Sequence, residues 1–82
     1  MPYKRARIYL DTNRDVMEFV KSLNSDGSID RYILEDVNGR DRVNARSYLG
    51  ALYASTEWSG EIYLVNETND GNFPLCVDFF RA

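Results

Sequence analysis

The sequence DVNGRDRVNARSYLGALY, residues 36–53 of the 82-residue chain, carries the clearest local structural signals of this protein. Asn38 and Gly39 both tolerate a positive φ, which a two-residue type I′ turn requires at its two central positions. Residues of strand-forming character lie before and after this pair. The stretch therefore predicts a β-hairpin whose strands cover residues 28–37 and 40–46.

After the hairpin the pattern changes from that of a strand to that of a helix. Ser47 can cap a helix, and a helix is predicted over residues 47–54. The apolar positions of its two short turns are Tyr48, Leu49, Ala51 and Leu52. Gly50 costs about 1 kcal/mol relative to Ala inside a helix, so it indicates a close approach or an interaction surface. Residues 55–60 are predicted to form a loop in which Trp58 either closes over the sheet edge as part of the core, which we favour, or is an exposed anchor.

The rest of the chain supplies two further strands and a longer helix. Alternation of apolar and polar residues predicts strands over residues 3–10 and 61–66. Residues 11–13 are three possible N-caps, and a helix is predicted over residues 13–24. Its apolar stripe consists of Val16, Phe19, Val20 and Leu23.

The tail of the chain, residues 73–81, fits two structures. Asn72 could cap a short helix with Pro74 in its first turn, or the aromatic and β-branched residues could form a fifth strand. Before this tail the predicted order of elements is β-α-β-β-α-β. The order predicts one α+β domain over residues 1–82, in which an antiparallel four-stranded sheet carries two helices on one face.

The charge and composition exclude several classes of function. A net charge of −3 and a pI of about 4.8 argue against a general nucleic-acid binder, because such proteins depend on neutralising phosphates. The basic residues still form two groups, which are either solvated strand faces or a local patch for a phosphate or an acidic partner. These groups are Lys4, Arg5 and Arg7, and Arg40, Arg42 and Arg46.

The chain has few residues of the types that commonly take part in catalysis or metal binding. The chain has no His, which is the commonest metal ligand and general base, and its one cysteine, Cys76, fits a reducing compartment. No pair of a nucleophile and a base is present, and no phosphate-binding glycine loop. No apolar run is long enough to span a membrane, and the N-terminus lacks the apolar region of a signal peptide. We therefore expect a cytoplasmic protein that is not an enzyme, binds no cofactor or metal, and contacts neither membrane nor nucleic acid.

Residues 43–52, VNARSYLGAL, resemble the third strand and second helix of HPr, the small phosphocarrier of the bacterial sugar phosphotransferase system. In that family an NG-type hairpin leads into V-N-[LA]-[KR]-S, two hydrophobic residues and Gly. The resemblance implies an HPr-like open-faced β-sandwich over roughly residues 4–66, and it favours the short helix for the tail. An HPr-like chain should end in a long amphipathic helix, for which residues 73–81 are too few.

The same resemblance implies which activity is absent and which residue is regulatory. An active HPr carries its phosphoryl group on a histidine at the start of the first helix, beside an arginine. The matching residues 11–15 include Arg14 but no histidine, so phosphocarrier activity is not expected. In Gram-positive relatives a serine at the start of the second helix is phosphorylated by a dedicated kinase, and Ser47 matches it. Arg46 is adjacent as a partner for such a phosphate; the alternative is that Ser47 is only a helix cap.

The resemblance further implies a docking surface made by the second helix and the start of the first. Tyr48 and Leu49 are expected to face outward. The candidate partner-binding residues are Arg14, Arg46, Tyr48, Leu49 and Leu52. The expected partner is a protein, such as a kinase or a transcriptional regulator, and the chain is expected to be a monomer or a weak homodimer.

Two functions are consistent with these patterns. The first is a regulatory protein-interaction module of the HPr type without phosphocarrier activity, controlled at Ser47. The second is a small binding or inhibitor protein, encoded by a phage or a bacterium, with no role in the phosphotransferase system.

Overall fold

The computed structural model describes residues 5–27, 30–58, 61–68 and 73–81. The strands are Arg5–Ile8 (β1), Tyr32–Glu35 (β2), Arg42–Asn44 (β3) and Ile62–Asn66 (β4), and the α-helices are Asn13–Ser25 (α1) and Tyr48–Glu57 (α2). A 3-10 helix, Leu75–Phe80, follows β4. The predicted order β-α-β-β-α-β is therefore confirmed, and the third helical element is a 3-10 helix.

Within the described residues the strands form a four-stranded antiparallel sheet in the order β1-β4-β2-β3. Ile8 pairs with Ile62, and Leu34 pairs with Leu64, so these apolar side chains share one face of the sheet. Both α-helices pack on this face and bury their apolar residues against it. The predicted sheet with helices on one side is confirmed, while the strands are shorter than predicted.

Helix α1 has the boundaries and the buried face that its periodicity predicts. Thr12 is the N-cap, its Oγ1 accepts a hydrogen bond from the Asp15 backbone N–H at 3.1 Å, and the Asp15 carboxylate accepts from the Thr12 N–H. This is a capping box, which satisfies N–H groups that the helix cannot pair internally. The buried residues are Val16, Phe19, Val20 and Leu23.

Neither α1 nor α2 is long and apolar enough to cross a membrane.

The turn between β2 and β3 is wider than the predicted two-residue turn. The backbone N–H of Asp36 donates to the carbonyl of Asp41, and the Gly39 N–H donates to the Asp36 carbonyl. The Asp36 carboxylate also accepts from the Arg40 N–H at 2.9 Å, which stabilises the longer loop. Gly39 has a φ of 71°, so the positive φ predicted at this position is present in a different turn.

Two other predictions, the end of α2 and the position of Pro74 in the tail, are wrong. Helix α2 continues to Glu57, through part of the predicted loop 55–60. The hydroxyls of Ser55 and Thr56 both donate back to the Leu52 carbonyl within the helix. In the tail, Pro74 precedes the 3-10 helix as its N-cap and does not lie in its first turn. Arg81 then forms an isolated bridge with Ile8 at the edge of β1. The cap predicted at residue 72 lies outside the described residues.

Candidate functional site

Ser47 lies at the N-terminus of α2, as the sequence predicts. Its backbone is extended, with φ −95° and ψ 125°, and its Oγ accepts a hydrogen bond from the Gly50 N–H at 3.2 Å. The hydroxyl is therefore engaged in capping, and the residue is half-buried. The prediction that Ser47 caps this helix is confirmed.

Gly50 allows α2 to pack closely on β3. A Cβ at this position would lie 3.1 Å from the Asn44 carbonyl oxygen and 3.3 Å from the Val43 Cβ. The carbonyl of Asn44 already accepts a hydrogen bond from the Ser47 N–H, which holds it in place. The glycine inside α2 therefore reflects a close approach between the helix and the edge strand.

Arg46 directs its side chain toward the end of α1 and the entry to β2. Its Nη1 donates to the Leu23 carbonyl at 2.7 Å, and its Nη2 donates to the Asp30 carbonyl at 3.1 Å. The guanidinium also lies over the Tyr32 ring, 5.0 Å from its centroid. Arg46 thus joins α1, β2 and the start of α2 through contacts with backbone and ring.

The outer side of α2 carries a largely exposed apolar surface. Leu49 is 75% exposed, and Tyr48 and Tyr53 are also exposed. We call these three residues the α2 surface. On the opposite side of the helix Ala51 and Ala54 are fully buried. The outward orientation predicted for Tyr48 and Leu49 is confirmed.

Leu52 and Arg14 lie apart from the α2 surface. Leu52 is half-buried and packs against the core, so it helps to hold α2 on the rest of the protein. Arg14 is exposed in the first turn of α1, where its Nε lies 3.4 Å from Glu18. The other end of α1 contacts Arg46 through Leu23, nine residues or about 13.5 Å further along the helix at 1.5 Å per residue. The structure therefore does not bring Arg14 together with Ser47.

Trp58 ends α2 and is buried, which confirms its predicted place in the core. It packs edge-on to Tyr53 with ring centroids 6.1 Å apart. Its buried Nε1–H has no hydrogen-bond partner among the described residues. Within those residues, no group of three or more carboxylate, Cys or His side chains is arranged to hold a metal ion.

The open face of the sheet carries a chain of ion pairs that sequence patterns do not specify. Arg5 lies 2.7 Å and Arg42 3.3 Å from the two carboxylate oxygens of Glu35. Arg42 also contacts Glu67, whose hydrogen bond raises the pKa of Arg42, and Arg31 lies 3.3 Å from Glu67. One arginine of each predicted basic group, Arg5 and Arg42, therefore meets at Glu35. These arginines form solvated strand faces bridged by carboxylates.

Comparisons with known proteins leave the resemblance to HPr as a prediction from residues 43–52. No family model matches the chain, no curated protein sequence matches it, and no solved structure matches it.

Proposed function

We propose that this protein is a regulatory protein-interaction module of the HPr type, without phosphocarrier activity, that binds a partner protein through the α2 surface. The observation that carries this proposal is the exposure of Leu49 between Tyr48 and Tyr53. Exposed apolar side chains on a helix whose other side is already buried are typical of a protein-binding surface.

The start of α1 supports a role that does not include phosphoryl transfer. The chain has no His, and Thr12 is occupied as the N-cap of α1. Arg14, which would flank the phosphorylated residue in an HPr, is paired with Glu18. A hydroxyl or an amide here cannot replace an imidazole as a phosphoryl carrier, so the proposed role is regulation through binding.

Ser47 is the proposed site of control. A phosphate on this residue would meet unpaired backbone N–H groups and the positive end of the helix dipole. It would also place nearly two negative charges beside Tyr48 and Leu49. Phosphorylation is therefore expected to change the affinity of the α2 surface for its partner.

The first test is the intact mass of the protein after incubation with ATP and a Gram-positive HPr kinase. We expect one added phosphate, and we expect none on the Ser47→Ala variant. Thr56→Ala, which changes another α2 hydroxyl, is the matched control and should be phosphorylated normally. An unmodified wild-type mass would remove the regulatory role of Ser47 from the proposal.

The second test addresses the α2 surface. Partner proteins captured by the wild-type chain are compared with those captured by Leu49→Ser and by Val37→Ser, which changes an exposed residue of the β2–β3 loop. The proposal expects a partner that is lost with Leu49→Ser and retained with Val37→Ser. Equal capture by all three proteins would contradict it.

One observation favours the second candidate function, a small phage- or bacterium-encoded binding or inhibitor protein. The helix that follows β4 is the six-residue 3-10 helix Leu75–Phe80, whereas HPr-like chains have a long amphipathic α-helix after the fourth strand. Under this alternative the α2 surface still binds a partner, but an HPr kinase does not modify Ser47. Phosphorylation of Ser47 would therefore support the first function, and an unmodified Ser47 would favour the second.

A further inference from the structure

The 3-10 helix is held on the rest of the protein by one of its sides. We call residues 75–81 the strap. Three residues complete a turn of a 3-10 helix, so Val77 and Phe80 lie on the same side of it. Val77 is fully buried, and Phe80 packs edge-on to Phe19 of α1 with ring centroids 5.3 Å apart. Phe80 and Cys76 are half-buried against the core, so the inward side of the strap is a small apolar contact.

The outward side chains of the strap do not tie it to the rest of the described chain. Leu75 is 84% exposed and Phe79 is 88% exposed, so the docking of the strap buries neither of them. Among the described residues, the ion pair of the strap joins Arg81 to Asp78, and both residues belong to the strap. The strap is therefore held by its inward side and by its backbone.

The backbone of the strap covers part of the outer edge of the sheet. β1 is an edge strand, because the strand order is β1-β4-β2-β3. The Tyr9 N–H donates to the Phe80 carbonyl at 2.7 Å, and Arg81 forms a bridge with Ile8. An uncovered strand edge presents N–H and C=O groups that can pair with another chain. The docked strap therefore masks a surface on which strand pairing could occur.

The rest of the fold has more buried contacts than the strap. Helix α1 buries four apolar side chains, whereas Val77 is the one fully buried residue of the strap. Ile33 pairs with Val65 between the two central strands of the sheet. Segments with few buried apolar contacts open at a lower free energy than the whole domain, and they open as contiguous units. The strap can therefore detach while α1 and the sheet stay folded.

We propose that the strap opens and closes as a unit while the sheet and both α-helices stay folded, and that it gates the outer edge of β1 and the side of α1 around Phe19. In the closed form this surface is masked. In the open form the Tyr9 N–H and the Phe19 ring become accessible. No residue of the α2 surface takes part, so the proposal stands apart from the function proposed above.

Hydrogen exchange of backbone amides, followed by NMR on the full chain, measures this opening. The Tyr9 amide reports on the strap because it is bonded to Phe80, and the Ile33 amide reports on the centre of the sheet. We expect the protection factor of Tyr9 to be at least about tenfold lower than that of Ile33. Between 0 and about 1 M urea the protection of Tyr9 should change little, whereas that of Ile33 should fall several-fold, because sensitivity to denaturant scales with the surface exposed.

Two results of this measurement would overturn the proposal. Equal protection and equal urea dependence of the Tyr9 and Ile33 amides would mean that the strap opens only when the whole domain unfolds. A Tyr9 amide without any protection would mean that the strap is not closed in solution.

A pair of neighbouring variants tests the anchor. Phe80→Ala removes a contact of the closed strap and should lower the protection factor of Tyr9 about tenfold. Phe79→Ala is the matched control, because Phe79 is exposed, and it should leave this factor unchanged. The open form does not use the Phe80 contact, so the Phe80→Ala chain should stay folded with Ile33 still protected. Unchanged protection of Tyr9 in Phe80→Ala, or complete loss of protection at Ile33, would contradict the gating by the strap.

Discussion

The guanidinium Nη1 of Arg46 donates a 2.7 Å hydrogen bond to the backbone carbonyl of Leu23. This bond brings a positive charge to the last turn of α1, where the helix dipole is negative, and the Leu23 carbonyl also accepts the Asp26 N–H. A second bond to the Asp30 carbonyl and the contact with the Tyr32 ring make Arg46 a junction of three elements.

We expect Arg46→Ala to lower the free energy of unfolding by about 2 kcal/mol, because hydrogen bonds from a charged, part-buried donor are lost. Arg46→Lys should recover only part of this, since an ammonium group cannot reach two carbonyls in the geometry of the guanidinium fork. Urea denaturation of the three proteins measures the difference. A loss below about 0.5 kcal/mol would show that the junction contributes little.

Ser47→Ala should destabilise the protein by about 1 kcal/mol through loss of the α2 cap. Ser47→Asp should retain wild-type stability, because Asp is an equally good N-cap and places negative charge at the positive end of the dipole. Thermal unfolding of both variants separates the capping role from any regulatory one. If Ser47→Asp were as unstable as Ser47→Ala, the bond between Ser47 Oγ and the Gly50 N–H would not explain the effect.

Gly50→Ala should destabilise the protein by about 1 kcal/mol, although alanine is the better helix former by a similar amount. The added Cβ would lie 3.1 Å from the Asn44 carbonyl oxygen, which the Ser47 N–H holds in place. Thr56→Ala, at an exposed position of the same helix, is the control and should be neutral or slightly stabilising. A stabilised Gly50→Ala variant would mean that β3 moves freely away from α2.

Glu35→Gln should lower the free energy of unfolding by about 1–2 kcal/mol, because both Arg5 and Arg42 lose their bridging charge. The Glu35 side chain is largely buried between the two arginines, which limits screening by salt. Glu57→Gln, at an exposed position, is the control and should change stability little. Equal stability of the two variants would show that the bridge is energetically neutral.

Burial and the carboxylate of Asp26 raise the pKa of the Cys76 thiol. Alkylation by iodoacetamide requires the thiolate, so its pH profile should have a midpoint above about 8.5, the ordinary value. Asp26→Asn should shift this midpoint downward. A midpoint at or below 8.5 would contradict the assignment.

The raised pKa of Cys76 also predicts how the free energy of unfolding depends on pH. The folded state favours the protonated thiol. The contribution of Cys76 to the free energy of unfolding is therefore fully present when the pH lies below the pKa that this thiol has in the unfolded chain. It is lost as the pH rises through the folded pKa.

Local patterns in the sequence were sufficient to predict the elements that depend on neighbouring residues alone. The stripe from Val16 to Leu23 predicts α1 because a 3.6-residue period and an N-cap are local properties. Ser47 likewise predicts the start of α2, and alternation predicts which residues of β1 and β4 face the core. The resemblance of residues 43–52 to HPr predicts that Leu49 faces outward, and this orientation is confirmed.

Contacts between distant residues decided what the local patterns could not. The turn is an exception, because near neighbours decide it: the Asn38–Gly39 pair indicates a tight turn, but the Asp36 carboxylate accepts hydrogen bonds from the Arg40 and Asp41 backbone N–H groups in a wider one. Arg46 is a neighbour of Ser47 in sequence. Its side chain nevertheless points away from Ser47 and donates hydrogen bonds to the carbonyls of Leu23, in α1, and Asp30, before β2.

The exposure of Phe79 depends in the same way on how the 3-10 helix packs against α1, where Phe80 lies edge-on to Phe19. The sequence alone thus determined the elements and the inward faces, since these depend on backbone preference and apolar period. The tertiary structure decided the partners of the charged side chains and the surfaces left open, because both depend on residues that only folding brings together.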